Sequence, residues 1–329
     1  MICMGGITIK TNVIKKIACV GAGIIGSSWA ISFSLKGYPV YLYDTGQDNL
    51  DHAKKSVINN LKILQKNAII TRQAAAEAEK LITYTVHLEE AVQNVQFIQE
   101  SGPENYEIKQ NILGQVEKIT SPDTIIASST SGLLITEIAK FSAHPERCIG
   151  AHPYNPPHII PLIEITKGEK TSPEAVECTC DFYVRLGKEP IVLQKESLGF
   201  IANRLQMGLF REAVDLVTRG VCSVEDIDKA VTFGPGLRWA LLGPNLIFQL
   251  AGGQHGIRGS SLHMNPSAEK WLADMAKWDK FPDGWPDIAQ AGVDKEMTNR
   301  SAEFGKTNEE IIQFRDQGLF QLLKYHKKI

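Results

Sequence analysis

The chain has 329 residues, enough for two domains at roughly 100–200 residues each. Its composition, 43% hydrophobic and 22% charged, is that of an ordinary globular protein and excludes long disorder. With 35 basic and 37 acidic residues, a net charge of −2, it lacks the basic field of a dedicated nucleic-acid binder. The sequence Met1-Ile-Cys-Met-Gly-Gly has neither the charged nor the long apolar region of a secretory signal. Residues 1–12 read as a flexible leader, because the periodic pattern begins at Ile14. No apolar run reaches the roughly 18 residues that span a bilayer, so no membrane segment is expected. Cys178 and Cys180 form a C-x-C with no second cysteine pair or close histidine. That completes no zinc site, and no metal is expected. Reduced thiols in a cytoplasmic protein are the expectation for such cysteine usage.

Along the chain, Lys16–Val20 reads as a strand, followed by a glycine turn and a helical pattern over Ile24–Lys36. Gly37 stops that helix, and Pro39–Tyr43 reads as a second strand. Two amphipathic helical stretches follow, from Asp48 to about Gln65 and from Thr71 to Lys80. Further strands are expected at Ile82–Val86, Val95–Gln99, Thr124–Ser128, Cys148–Ala151, Leu162–Thr166 and Glu189–Leu193. Helical segments such as Asn105–Ile119 and Pro173–Leu186 separate most of them. This alternation predicts a doubly wound α/β fold, a mostly parallel sheet with helices on both faces. After Ser197 helices dominate, beginning with an amphipathic pattern over Gly199–Gly220. The predicted organisation is therefore a nucleotide-binding domain over 13–197 and an all-helical domain over 198–329.

The turn after the first strand is Gly21-Ala-Gly23-Ile24-Ile25-Gly26, a G-x-G-x-x-G that opens a helix. A second strand ends at Asp44, 18 residues past Gly26. Together these meet the context that a dinucleotide fingerprint requires. Gly21 permits the tight turn, Gly23 lets a pyrophosphate approach the backbone, and Gly26 lets helix and strand pack closely. The free N–H groups of the helix N-terminus face the phosphates. A carboxylate at Asp44 accepts from ribose hydroxyls and repels a 2′-phosphate, so NAD is favoured over NADP.

Three further motifs bear on chemistry. They are Ser128-Ser-Thr-Ser131-Gly, His152-Pro-Tyr-Asn155-Pro-Pro followed by Glu164, and Gly199-Phe-Ile-Ala-Asn203-Arg204. With FIQESGPENYEIK (97–109) and FGPGLRWALLGP (233–244), they make residues 16–255 resemble the 3-hydroxyacyl-CoA dehydrogenase superfamily. The likeness is greatest to a branch of short, CoA-independent enzymes that holds L-carnitine dehydrogenase, L-gulonate 3-dehydrogenase and λ-crystallin. The resemblance implies a Rossmann-type domain followed by a helical domain that dimerises. It implies His152 as catalytic base, Glu164 as its carboxylate partner, and Ser131 and Asn203 as holders of the substrate oxygen. It also implies Glu104 and Lys109 beside the nicotinamide half of the cofactor. Oxidising a secondary alcohol sends a hydride to the nicotinamide and a proton to a base, a task an imidazole suits near neutral pH. The plainer readings are a solvent-facing carboxylate at Glu164, on an alternating strand, and a first-turn polar residue at Asn203.

The expected reaction is NAD-dependent oxidation of a small 3-hydroxy acid to the 3-keto acid, with L-carnitine the first substrate to consider. A substrate carboxylate wants an arginine, and Arg238 is the candidate, with Arg204 as the alternative. A trimethylammonium head wants ring faces, and Tyr154, Trp239 and Phe248 are available. The competing readings are a short-chain 3-hydroxyacyl-CoA dehydrogenase, an L-gulonate 3-dehydrogenase, and a non-enzymatic NADH-binding structural or sensor protein. Against the CoA reading, Ser56–Lys80 carries only scattered Lys62, Lys66, Arg72 and Lys80. His158, in the proline-rich loop near His152, is a further candidate for lining the substrate site. The tryptophan-bearing stretch 254–290 departs from the branch and is expected to shape a pocket rim.

Overall fold

The computed structural model describes residues 14–329, and the leader read over 1–12 lies outside them. The chain forms two compact units. One ends at Asn203 and includes Lys328–Ile329; the other is Arg204–Lys327.

In the first unit the elements run β1 (Ile17–Val20), α1 (Ile24–Ser34), β2 (Val40–Tyr43), α2 (Gln47–Lys66) and α3 (Arg72–Lys80). Next come β3 (Ile82–Thr85), α4 (Leu88–Val92), β4 (Phe97–Glu100), α5 (Tyr106–Glu117), β5 (Ile125–Ser128) and α6 (Ile135–Ile138). The series closes with β6 (Cys148–Pro153), β7 (Leu162–Lys167), α7 (Pro173–Arg185) and β8 (Glu189–Val192). They build one eight-stranded sheet in the order β3-β2-β1-β4-β5-β6-β7-β8. Every neighbouring pair is parallel except β6 and β7. The strand order departs in both directions from β1 and β4, and a ligand crevice forms at such a switch point.

Helices cover both faces, which is why β1, β4 and β5 are buried along their whole length. On one face Trp29 and Phe33 of α1 meet Phe97 of β4 and Phe182 and Tyr183 of α7. Phe97 and Phe182 have ring centroids 4.6 Å apart, and Trp29 stacks on Phe33 at 5.2 Å. On the other face Val20, Ile98, Leu113, Val116 and Ile126 pack together. Each such side chain contributes about 1.5–3 kcal/mol on burial.

The loop between β6 and β7 is pinned to α1 by a polar contact. The His158 backbone N–H donates to Ser28 Oγ at 2.9 Å, and Ser28 Oγ lies 2.6 Å from His158 Nδ1. The serine hydroxyl has no other acceptor among the described residues, so it donates to Nδ1 and leaves the ring proton on Nε2. Burial, aided by the Lys188 charge, pushes His158 down to about 4, against an ordinary value of 6.5. Between pH 6.5 and 4 the unfolded chain therefore binds a proton that the native chain refuses. This term stabilises the fold above pH 6.5 and is lost as pH falls towards 4, by about 2–3 kcal/mol. His158→Asn is expected to flatten the urea-midpoint profile across that window. Parallel profiles for the two proteins would assign the acid sensitivity elsewhere.

The second unit is helical. It continues α8 (Ala202–Thr218) and contains α9 (Val224–Phe233), α10 (Pro235–Trp239), α11 (Pro244–Ala251), α12 (Gly256–Asp274), α13 (Trp285–Asn299) and α14 (Asn308–Tyr325). Capping boxes start α9 (Ser223 with Asp226) and α14 (Thr307 with Glu310). Few of its apolar side chains are buried, Val214, Phe320 and Leu323 among them, while Phe233, Leu246, Leu250 and Leu262 are exposed. In the stretch that departs from the branch, Trp278, Phe281 and Trp285 form an aromatic group with Phe210 of α8. Residues 201–203, at the end of the first unit, are hydrogen-bonded to Glu164 and Ser131. Among the described residues, no helix is long and apolar enough to cross a membrane.

Candidate active site

At the end of β1 the chain turns through Gly21, whose φ of +102° suits glycine. A Cβ on Gly21 would lie 2.6 Å from the Ser101 carbonyl oxygen, and one on Gly26 only 1.8 Å from the Gly21 carbonyl oxygen. A Cβ on Gly23 would meet nothing within 4 Å. Gly23 is also the N-cap of α1 and supplies no side-chain cap, so the first N–H groups of α1 stay available. Open space in front of uncapped N–H groups fits a pyrophosphate. Ile24 is exposed beside this space and Ile25 half-buried. Asp44, at the end of β2, accepts from the N–H of Ala22 at 2.9 Å and from Asn49 at 2.7 Å. Burial raises its pKa, but those bonds and the N–H groups of Gly46 and Thr45 outweigh it and hold the carboxyl below its usual range. Asp44 thus shapes the glycine turn and remains a charged acceptor at its rim.

The antiparallel pair β6–β7 sets His152 directly opposite Glu164. Glu164 is fully buried, and its Oε2 lies 2.7 Å from His152 Nδ1. Its other oxygen accepts the N–H groups of Ile201 and Ala202, both at 2.9 Å, at the start of α8. Burial alone would raise the Glu164 pKa. The bonds from His152, Ala202 and Ile201 outweigh it and keep the carboxyl ionised below the usual range. A charged acceptor at Nδ1 fixes the tautomer with the proton on Nδ1 and the lone pair on Nε2. The ring is flanked by Tyr154 (centroids 6.0 Å apart) and Phe200 (5.6 Å).

Asn203 Nδ2 donates to the Ser131 carbonyl at 2.9 Å, which brings these two residues together. Glu104 Oε1 accepts from Thr130 Oγ1, from Ser131 N–H at 2.7 Å and from Gly132 N–H at 3.1 Å, and so holds the same loop. Lys109 is buried. Its Nζ is 3.7 Å from Glu104, but it donates at 3.0 Å to both oxygens of Glu100 and at 3.2 Å to the Gly102 carbonyl. Glu100 also accepts from Ser128 Oγ and Gly102 N–H. Lys109 therefore organises the loops after β4 and β5 from beneath.

Residues 16–197 match the family model of the 3-hydroxyacyl-CoA dehydrogenase NAD binding domain, and residues 199–284 match that of its C-terminal domain. The chain belongs to the 3-hydroxyacyl-CoA dehydrogenase family. Among curated proteins it is similar to an L-carnitine dehydrogenase of Streptomyces coelicolor, 37% identical over 94% of each chain. It is also similar to one of Streptomyces griseus, 36% identical over 94% of this chain and 90% of that one. Among solved structures it resembles an NAD-dependent dismutase, 5-formyl-3-hydroxy-2-methylpyridine 4-carboxylic acid 5-dehydrogenase. That match has a TM-score of 0.78 and 30% identity, and covers 96% of this chain and 98% of the other. A (S)-3-hydroxybutyryl-CoA dehydrogenase from Ralstonia eutropha matches with a TM-score of 0.64 and 27% identity, over 79% and 88% of the two chains. The protein is an NAD-dependent dehydrogenase acting on a CH–OH group, and NAD is its cofactor.

Within this family frame, His152 is bonded to Glu164 and Asn203 to Ser131, and the backbone just before Asn203 is bonded to Glu164. Arg238, Trp239 and Phe248 belong to the helical unit, on α10 and α11, and all three are exposed there. Two residues of the site escaped sequence reasoning. Glu100 carries the only signal of a charged residue at a strand end, and nothing in its spacing marks it as the buried partner of Lys109. Phe200 adopts a left-handed φ of 51°, beside Gly199 at 71°, and so seats its ring on His152. The neighbouring glycine was the only hint of that turn.

Proposed function

We propose that the protein oxidises the 3-hydroxyl of a small 3-hydroxy acid to the 3-keto acid, with L-carnitine as the first-choice substrate. The observation that carries the chemistry is the His152 Nδ1 to Glu164 contact, which leaves Nε2 as the one basic lone pair of the ring. Bound NAD supplies the hydride acceptor. His152 Nε2 takes the hydroxyl proton, and Glu164 stabilises the imidazolium that results. The Ser131 hydroxyl and the Asn203 amide donate to the substrate oxygen as charge develops on it. In reduction His152 returns the proton to the carbonyl oxygen. Gly21, Gly23, Ile24, Ile25, Gly26 and Asp44 bind the dinucleotide, and Glu104 and Lys109 hold the loop at its nicotinamide end.

The choice of L-carnitine is supported by the curated relatives, which bear that name at 36–37% identity across nearly the whole chain. Arg238 is the proposed carboxylate anchor, and Tyr154, Trp239 and Phe248 the aromatic faces for the trimethylammonium. A short-chain 3-hydroxyacyl-CoA substrate is the second reading, favoured by the family itself. The α2–α3 hairpin, without a basic run, speaks against it. The exposed apolar side chains of the helical unit support a homodimer formed through that unit. A cytoplasmic location fits the free cysteines among the described residues.

The test is NADH formation at alkaline pH with L-carnitine, D-carnitine, L-gulonate, 3-hydroxybutyrate and 3-hydroxybutyryl-CoA. Turnover of L-carnitine alone is expected; turnover of the CoA ester alone would discard the carnitine assignment. In the same assay Asp44→Ala is expected to narrow the kcat/KM preference for NAD over NADP. A wild-type enzyme that already prefers NADP would refute the role given to Asp44.

A further inference from the structure

Beside α1, in the first unit, lies a cavity of about 450 Å³ bounded by the α2–α3 turn, the end of the β6–β7 loop and the turn before β8. Among the described residues its lining carries Lys36, Lys188 and Lys328 and no aspartate or glutamate side chain. Glu189, just outside, pairs with Lys328. Lys36 and Lys188 have no carboxylate partner among the described residues. Lys188 is buried and donates to the carbonyls of Pro157 and Ile160, which leaves one of its three N–H groups uncommitted. Burial, aided by Lys36, pushes Lys188 down to about 7, so an anion beside it would relieve a real cost.

Two neutral donors join the lysines. His158 lines the cavity with Nδ1 committed to Ser28, and so presents Nε2–H. Thr71 caps α3 by accepting from Ala74 N–H, and its hydroxyl proton remains free to donate. The positive end of a nine-residue helix thus meets the same space. Apart from Ser32, whose hydroxyl donates to the Ser28 carbonyl, the remaining side chains of the lining are apolar, with Ile69, Ile70 and Ile159 among them. Inorganic ions leave such walls unused; a ligand with an apolar body covers them.

We propose that this cavity binds a small organic anion, a carboxylate or phosphate head on an apolar body, at a site separate from the His152 dyad. The head meets Lys36, Lys188 and His158, and the body lies along the isoleucines. The plainer account makes Lys188 only a staple that holds the β6–β7 loop by its carbonyls.

Calorimetry on the full-length protein, with NADH saturating, separates the two. The probes are octanoate, octyl phosphate, inorganic phosphate and octyltrimethylammonium. Octanoate or octyl phosphate is expected to bind and to weaken at least about tenfold in Lys36→Met, an exposed position where folding is safe. Lys188→Met is expected to abolish binding, with its melting temperature checked alongside. The stronger of the two octyl probes identifies the head group. Binding of the cationic probe as tight as that of octanoate, no binding of either octyl anion, or anion affinities unchanged in Lys36→Met would each overturn the proposal. Inorganic phosphate binding as tightly as octyl phosphate would remove the apolar body from it. Because the readout is binding with the dehydrogenase site left intact, failure here leaves the carnitine assignment untouched, and the converse also holds.

Discussion

His152→Ala is expected to lower kcat by at least about 10²-fold while leaving NADH affinity within a few fold of wild type. The size follows from what the side chain would do: among the described residues no other imidazole is bonded to Glu164, and water would have to take the proton unaided. NADH affinity should survive because the ring of His152 is bonded to Glu164 and flanked by Tyr154 and Phe200, away from the residues that form the glycine fingerprint in sequence. Glu164→Gln should fall between the two. It keeps an acceptor for the N–H groups of Ile201 and Ala202 but removes the charge that steadies an imidazolium. Single-turnover rates and NADH fluorescence titration measure the two quantities separately. An unchanged kcat in His152→Ala would remove it as the base.

The second large effect concerns Gly26. Its substitution by alanine would set a Cβ 1.8 Å from the Gly21 carbonyl oxygen, a backbone atom that cannot swing aside. Either α1 or the Gly21 turn must move, and overpacking of this kind costs about 1–3 kcal/mol. Cofactor binding should fall with it, because the same turn carries Gly23 and the bond from Ala22 to Asp44. Gly23→Ala is the informative control. Its Cβ meets open space, so the melting temperature should hold while NADH affinity drops, the methyl group standing where the pyrophosphate approaches. Equal loss of stability in both variants would mean that the glycines serve packing alone.

The order of strands and helices in the first unit was readable because its periodicities are strong and its turns are marked by glycine. The strands at Ile17, Val40, Ile82 and Leu162 fall within one or two residues of expectation. For Glu164 the resemblance implies a partner to His152, while the strand's own pattern leaves a solvent-facing carboxylate equally open. An alternating strand offers a solvent face and a core face, and only the pairing with β6 decides which one a carboxylate takes. Lys109 illustrates the opposite difficulty. The resemblance implies a place beside the nicotinamide half of the cofactor and says nothing of burial; the fold buries Lys109 against Glu100, and burial of a lysine is decided by a partner that no local pattern names. The helical unit is less legible still. Its apolar residues follow helical spacing, yet many stay exposed in the single chain, so pattern alone could not separate core from contact surface.

The reversal of direction between β6 and β7 has an evolutionary consequence. His152 and Glu164 are cross-strand neighbours, and everything between Tyr154 and Pro161 lies outside the two strands that pair them. Insertions or deletions in that connection can alter what the loop touches without moving the proton-handling pair. A single-residue deletion inside β7 behaves differently: it would present Ile163 or Ile165 where the carboxylate now stands. Length variation among relatives should therefore be tolerated between the strands and purged within them, which leaves the loop free to diverge while the chemistry stays fixed.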